Sequence, residues 1–136
     1  MNIDWKYKLF NELSPDELYA ILRLRNEVFV VEQNCVFQDA DNKDQLSYHV
    51  MGWKDGQLLA YSRLVTAGIS YSEPSIGRVV TPPGARSLGL GKELMKRSIY
   101  ILHNEWGKTD IKIGAQLYLE RIYNTLGFQR TSDIYM

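Results

Sequence analysis

Arg86-Ser87-Leu88-Gly89-Leu90-Gly91-Lys92 stands between a short apolar run, Ile76-Gly77-Arg78-Val79-Val80-Thr81, closed by Pro82-Pro83-Gly84, and a segment whose apolar residues recur at helical spacing. A glycine-bearing loop that enters a helix is a place where main-chain N–H groups converge on an anion. Glycines at 89 and 91 admit positive φ and close approach of the backbone to a ligand, the helix beginning near Leu90 aims its free donors and dipole at negative charge, and Arg86 and Lys92 add positive charge. Two nucleotide loops are excluded. The stretch lacks the Gly-Lys-Ser/Thr ending of a Walker A loop, and Leu94 occupies the third glycine position of the Gly-x-Gly-x-x-Gly dinucleotide fingerprint. On glycine content alone a loop that merely turns a corner is the simpler reading, so the elements around it have to decide.

Upstream, Ile3, Trp5, Tyr7 and Leu9 alternate with polar residues and predict a first strand over residues 3 to 10. Ser14-Pro15-Asp16-Glu17 reads as a helix start, with Ser14 as N-cap, Pro15 where no donor is needed and Glu17 closing a capping box. Leu18, Ile21, Leu22 and Arg25 are expected on its inner face. The period of Val28 to Cys35 does not separate a short helix from an extended piece. The acidic stretch 38 to 45 fails as a calcium loop starting at Asp39, because Asp44 and Val50 stand where a glycine and a bidentate carboxylate are needed, and it is expected to be a solvated loop. Leu46 to Lys54 and Gln57 to Thr66 are strands joined by Asp55-Gly56, a strong hairpin signal.

The apolar run from Ile76 to Thr81 is a further strand. Beyond the loop, Leu94, Met95, Ile99, Leu102 and Trp106 predict a helix from Lys92 to its stop at Gly107, followed by a strand over 111 to 115, a helix over 117 to 126 closed by Gly127, and a strand over 128 to 135. The order is strand, one or two helices, three strands, helix, strand, helix, strand.

The chain has 136 residues, which suits one domain. Hydrophobic residues make up 45% and charged residues 24%, with a mean hydropathy of −0.29, so neither a disordered nor a membrane-spanning chain is expected. Sixteen Lys and Arg balance sixteen Asp and Glu, which argues against a nucleic-acid partner, and the lack of a long uncharged apolar run argues against a membrane. One cysteine, Cys35, excludes an internal disulfide, and the first residues show no basic patch leading into an apolar stretch; both point to a cytoplasmic setting.

In this order of elements, Arg86-x-x-Gly89-x-Gly91 resembles the Gln/Arg-x-x-Gly-x-Gly/Ala signature of the GNAT superfamily of N-acetyltransferases, which lies between the fourth strand and the third helix. Pro83 also matches, while Thr81 stands where an aliphatic residue is commoner. Gln116-x-x-Leu119-x-x-x-Tyr123-x-x-x-Gly127-Phe128 resembles the second signature, with Gln for Asn and Leu for Ala as departures. Val28 to Cys35, Gln38-Asp39-x-Asp41, His49-x-x-Gly52-Trp53 and Gly77-Arg78-Val79-Val80 together look like the ElaA-type branch, so the resemblance spans nearly the whole chain.

The resemblance implies an α/β (α+β) fold of a mixed central sheet with helices on both faces, split between the fourth and fifth strands for acetyl-CoA as co-substrate, with no metal. It implies pantetheine along the backbone of Val79, Val80 and Thr81, the diphosphate on Arg86, Ser87, Leu88, Gly89, Leu90, Gly91 and Lys92, and the thioester near Gln116. Tyr123 then protonates the departing thiolate, and the Val80 amide polarises the thioester carbonyl. The implied reaction is direct acetyl transfer to a primary amine of a small molecule or peptide; the alternatives are a non-catalytic CoA-binding module and a plain interaction domain.

Direct transfer needs a neutral amine, stabilisation of the oxyanion and a proton for the thiolate. Two residues stand as candidate bases. Glu32 is either a partly buried carboxyl with a raised pKa or a carboxylate at a helix end, and His49, inside a strand, is either catalytic or a hydrogen-bonded core histidine. Arg78, an inward charge on the fourth strand, needs a substrate carboxylate or a structural partner. Cys35 has no adjacent histidine to activate it, His103 reads as surface, and Trp5, Tyr48, Trp53, Tyr61, Tyr118 and Phe128 are expected chiefly in the core. The chain ends at Met136, soon after the sixth strand, where the family adds a seventh; either the sequence is truncated there or a sheet edge is left open, a surface that a homodimer would cover.

Overall fold

The structure, a computed structural model, describes residues 2–113 and, of Ser87, the main chain alone. The expected helix over 117 to 126 and strand over 128 to 135 lie outside the described residues, as does the end of the strand expected over 111 to 115. The elements are β1 (Asp4–Leu9), α1 (Pro15–Arg25), β2 (Ser47–Lys54), β3 (Gln57–Val65), β4 (Ser75–Val80), α2 (Leu90–Trp106) and β5 (Lys112–Ile113). They form a mixed sheet in the order β1-β2-β3-β4-β5, antiparallel through β4 and parallel between β4 and β5.

Local chemistry accounts for most of these elements. Ser14 Oγ accepts from the Glu17 amide at 3.1 Å, and Glu17 Oε1 accepts from the Ser14 amide at 2.8 Å, closing the capping box. Lys8 and Lys6 reach the same carboxylate at 3.0 and 3.1 Å, which ties the start of α1 to β1. Burial opposes the charge on Glu17, but the Ser14 amide and the two lysines outweigh it and hold the carboxyl down to about 2. At Asp55-Gly56 both residues have positive φ, 52° and 76°, as a two-residue hairpin turn of the primed type requires.

The ambiguous stretch after α1 is helical. Asn26–Glu32 continues α1 as a π-helical segment, with the Gln33 amide donating to the Val28 carbonyl at 3.2 Å and the Cys35 amide to the Val30 carbonyl at 3.0 Å. The inner face of α1 differs from the expectation: Leu22 points outward, while Glu17, Ile21, Leu24 and Arg25 are buried. Leu24 lies on the stripe that runs from Ile21 to Val28 and meets the sheet, and Leu22 lies off it.

The sheet separates two cores. On one face, α2 packs Leu94, Met95, Ile101 and Leu102 against Val50, Ala60, Leu64, Ile76 and Val79. On the other, α1 and the π-helical segment pack Ile21, Leu24, Val28 and Phe29 against Met51, Leu58, Tyr61 and Val80. The helices thus cover both faces. Ile76 and Val79 share a face although they are three residues apart, which a regular strand forbids. The register explains it: Tyr61 faces Val80 and Arg63 faces Gly77, so Arg78 and Val79 together oppose Ser62 in a β-bulge.

Gly52 is set by close approach. A Cβ there would lie 2.8 Å from one ring carbon of Trp5 and 3.1 Å from Ile3 Cγ2, and Arg97 covers the Trp5 ring at 5.0 Å from its centroid. Gly52→Ala is expected to lower stability by about 1–3 kcal/mol through overpacking, with much of the loss recovered in a Gly52→Ala/Trp5→Leu double variant. Urea unfolding of the three proteins measures it.

Candidate active site

The loop between β4 and α2 is pinned at both ends. Pro83–Leu88 forms a 3-10 turn in which the Ala85 amide donates to the Pro82 carbonyl at 3.0 Å, and Ala85 and Leu90 are buried. Gly89 has φ +73°, the left-handed region, and it is also the residue from which α2 starts, with no side chain capping the helix. Among the described residues, apart from the chain neighbours of Gly89, no heavy atom lies within 4 Å of the place its Cβ would take, so the glycine is required there by its dihedral. Arg86 is half-buried and Lys92 exposed. Among the described residues no side chain caps the first amides of this 17-residue helix, the arrangement in which an anion can take their place.

Beside the loop runs β4. Its pairing with β5 among the described residues covers Ser75 with Lys112 and Ile76 with Ile113, supported by a 3.0 Å bond from the Lys112 amide to the Pro74 carbonyl. Val79 and Val80 lie on the C-terminal half of β4 with their side chains sunk in opposite cores, and Thr81 is half-buried. Gln116 and Tyr123 lie outside the described residues.

The bulge is held from across the sheet. Arg78 has φ +51°, a conformation that costs a non-glycine residue about 1 kcal/mol. Its Nε donates to Asp39 Oδ1 at 2.7 Å and its Nη2 to the Asp39 carbonyl at 3.0 Å. Asp39 Oδ2 accepts from Arg25 Nε at 2.7 Å, so one carboxylate bridges α1 and β4. Arg25, with no exposed surface, also donates to Asp44 Oδ1 at 2.7 Å. Arg63 joins that oxygen at 2.9 Å and forks onto Asp41 at 2.7 and 2.8 Å.

These contacts correct two expectations. The stretch 38 to 45 is solvated only in part: Gln38, Ala40, Asn42 and Gln45 are exposed, while Asp39, Asp41 and Asp44 are drawn inward by the guanidiniums of Arg25, Arg63 and Arg78. Arg78 is a structural partner of Asp39, so its Nε and Nη2 are not open to a substrate carboxylate. The network also recruits Arg63, which sequence reasoning passed over although a charged residue inside the apolar run 57 to 66 is itself a signal for a buried pair.

His49 also differs from its catalytic reading. It is buried, and Nε2 lies 2.9 Å from the Asp44 carbonyl and Nδ1 2.6 Å from the Tyr61 hydroxyl. A carbonyl only accepts, so Nε2 carries the proton and Nδ1 accepts from Tyr61, which consumes both ring nitrogens. Burial, aided by the charges of Arg25 and Arg63, lowers the His49 pKa from its ordinary 6.5, and burial raises that of Tyr61. The pair is neutral core structure.

Glu32 forks onto Arg86, with both N···O distances 2.6 Å. The Arg86 hydrogen bonds lead the causes that lower its pKa, opposite to the raised value a base would need. Neither candidate base is therefore poised to take a proton from an ammonium.

Residues 13–135 match the family model for the acetyltransferase (GNAT) domain. The chain belongs to the GNAT acetyltransferase family. Among its GNAT relatives, Escherichia coli ElaA is 36% identical over 135 residues, 98% of this chain and 88% of that one, and a Synechocystis sp. protein is 40% identical over 136 residues, 99% and 88%. The crystal structure of Escherichia coli ElaA superposes with a TM-score of 0.92 at 35% identity, covering 99% of this chain and 93% of that one. An acyl-CoA N-acyltransferase structure from Pseudomonas aeruginosa superposes with a TM-score of 0.91 at 41% identity, covering 99% and 94%. Membership of the GNAT family assigns acyl transfer to this chain and places it in the ElaA-like branch. Among the described residues no group of His, Cys, Asp and Glu is arranged to hold a metal ion, and no helix is long and apolar enough to cross a membrane.

Removing Asp39 takes the carboxylate from Nε of the fully buried Arg25, which keeps only Asp44, and from Nε of Arg78. Asp39→Ala is expected to cost about 3–5 kcal/mol in urea unfolding. The pH dependence has a definite sign. His49 is lowered from 6.5. Asp41 and Asp44 are lowered from 3.8 because, although burial opposes their charge, the bonds from Arg63 and Arg25 outweigh it. A lowered group contributes its stability above its ordinary pKa and loses it on acidification. Stability should therefore fall once as pH drops below about 6.5 and again below about 4; unfolding midpoints from about pH 8 to about pH 3 check both steps.

Proposed function

We propose that this protein transfers an acetyl group from acetyl-CoA directly to a primary amine of a small molecule or peptide. The observation that carries the reading is the loop from Pro83 to Leu90, whose left-handed Gly89 and uncapped helix start offer main-chain donors to an anion beside β4. In this reading the donor's diphosphate lies on Arg86 to Lys92, and pantetheine adds to the edge of β4 along Val79 to Thr81. Main-chain donors suit this task because they are fixed before binding and need no side-chain ordering.

The family motif supports Tyr123 as the acid that protonates the CoA thiolate, and Gln116 as a contact to pantetheine. A phenol still holds its proton at neutral pH, and its ordinary pKa is only slightly above that of a thiol, so the transfer to the departing thiolate is a small step. His49 is committed in the core, and Glu32 stands at the arginine of the diphosphate turn and not beside the thioester, so the base is assigned to solvent, which takes the ammonium proton before the amine attacks. The same commitment favours one second reading, a CoA-binding module without turnover.

Calorimetric titration with acetyl-CoA, followed by an amine screen, tests both. Saturable binding is expected. Gly89→Ala, which strains φ in open space, should weaken it by no more than about tenfold, while Gly89→Glu, which adds a like charge, should abolish it. Tyr123→Phe should keep affinity and lose about 10²-fold or more in kcat. Wild type that binds CoA and acetylates no amine would leave the module reading, and a folded protein without CoA affinity would overturn both.

A further inference from the structure

Glu32 ends the π-helical segment and Arg86 stands in the 3-10 turn before Gly89, 54 residues away. Arg86 Nη1 donates to Oε2 and Nη2 to Oε1, both at 2.6 Å, the fork-to-fork geometry that a phosphate group also accepts. The two side chains keep 32% and 35% of their surface exposed, so solvent and ligand reach the pair. An ion pair this open contributes little to folding. Its place, on the arginine of the anion-binding turn, makes it consequential for binding.

We propose that Glu32 is an intramolecular competitor for the donor's diphosphate, holding Arg86 in the ligand-free protein and giving it up when acyl-CoA settles on the loop. The inference rests on the proposed function, because it takes the loop from Arg86 to Lys92 as the diphosphate site. The exchange replaces a singly charged carboxylate with a more highly charged group of matching geometry, so it runs forward when donor is present. It also lowers donor affinity below what the loop alone would give. Glu32 acts through Arg86, as a positioning residue that tunes donor affinity without touching the reacting atoms.

The test is a double-mutant cycle read by calorimetry with acetyl-CoA, using wild type, Glu32→Gln, Arg86→Ala and the double variant. Glutamine keeps the shape of Glu32 and removes its charge. Glu32→Gln is expected to bind acetyl-CoA about three- to fivefold tighter, to lower the donor KM by the same factor at unchanged kcat, and to keep its thermal midpoint within about 2 °C. With Arg86→Ala in place, the same substitution should change affinity by less than about twofold. Equal affinity of wild type and Glu32→Gln would overturn the competition while leaving the diphosphate site standing. The same tightening with Arg86 absent would also overturn it, because general charge repulsion would then be the cause. Absence of acetyl-CoA binding in wild type and Glu32→Gln alike would remove the diphosphate site and this inference together.

Discussion

Arg25 enters the interior on α1 with no exposed surface, and a guanidinium buried to that degree is tolerated only if carboxylates come in with it. Asp39 and Asp44 meet that demand, and each is shared with a second arginine, Asp39 with Arg78 on β4 and Asp44 with Arg63 on β3. One helix, one connecting loop and two strands are thereby held in a single register. The loop from 38 to 45 has little apolar surface of its own, and these pairs keep it against the sheet. They also occupy the inward side of Arg78 at the bulge where β4 changes the faces of Val79 and Val80.

The two halves of the site are built from different materials. On the side of α1, side chains do the work, and charge is matched by charge at fixed distances. On the side of α2, the donors are main-chain amides at a glycine turn, supported from below by Ala85 and Leu90 in the core. The fork between Glu32 and Arg86 joins the halves. It is far more exposed than the pairs around Arg25, and the proposed exchange with a ligand rests on that difference.

Much of the fold was legible because its signals are local. The capping box at Ser14, the Asp55-Gly56 hairpin, the helix into Gly107 and the glycine turn at 89 each depend on a few neighbouring residues. The stretch from Val28 to Cys35 was not legible, since a π-helical turn with i to i−5 bonds follows neither the helical nor the strand period. The inner face of α1 was misread between Leu22 and Leu24 because two overlapping apolar stripes share that helix, and only the sheet beneath it selects one.

Among the described residues the amino-acid order by itself determined most kinds of element and their sequence along the chain, and it carries the two motifs that resemble those of GNAT acetyltransferases, because dihedral preference, capping and periodicity act within a few residues. Tertiary structure decided the partners of the charged and titratable groups: Arg25 and Arg78 with Asp39, Arg63 with Asp41, His49 with Tyr61 and the Asp44 carbonyl, and Glu32 with Arg86. A side chain's role as base, ligand or buried counter-ion depends on what lies within hydrogen-bond reach and how much water is excluded. Those quantities arise only when residues 5 to 54 positions apart are brought together.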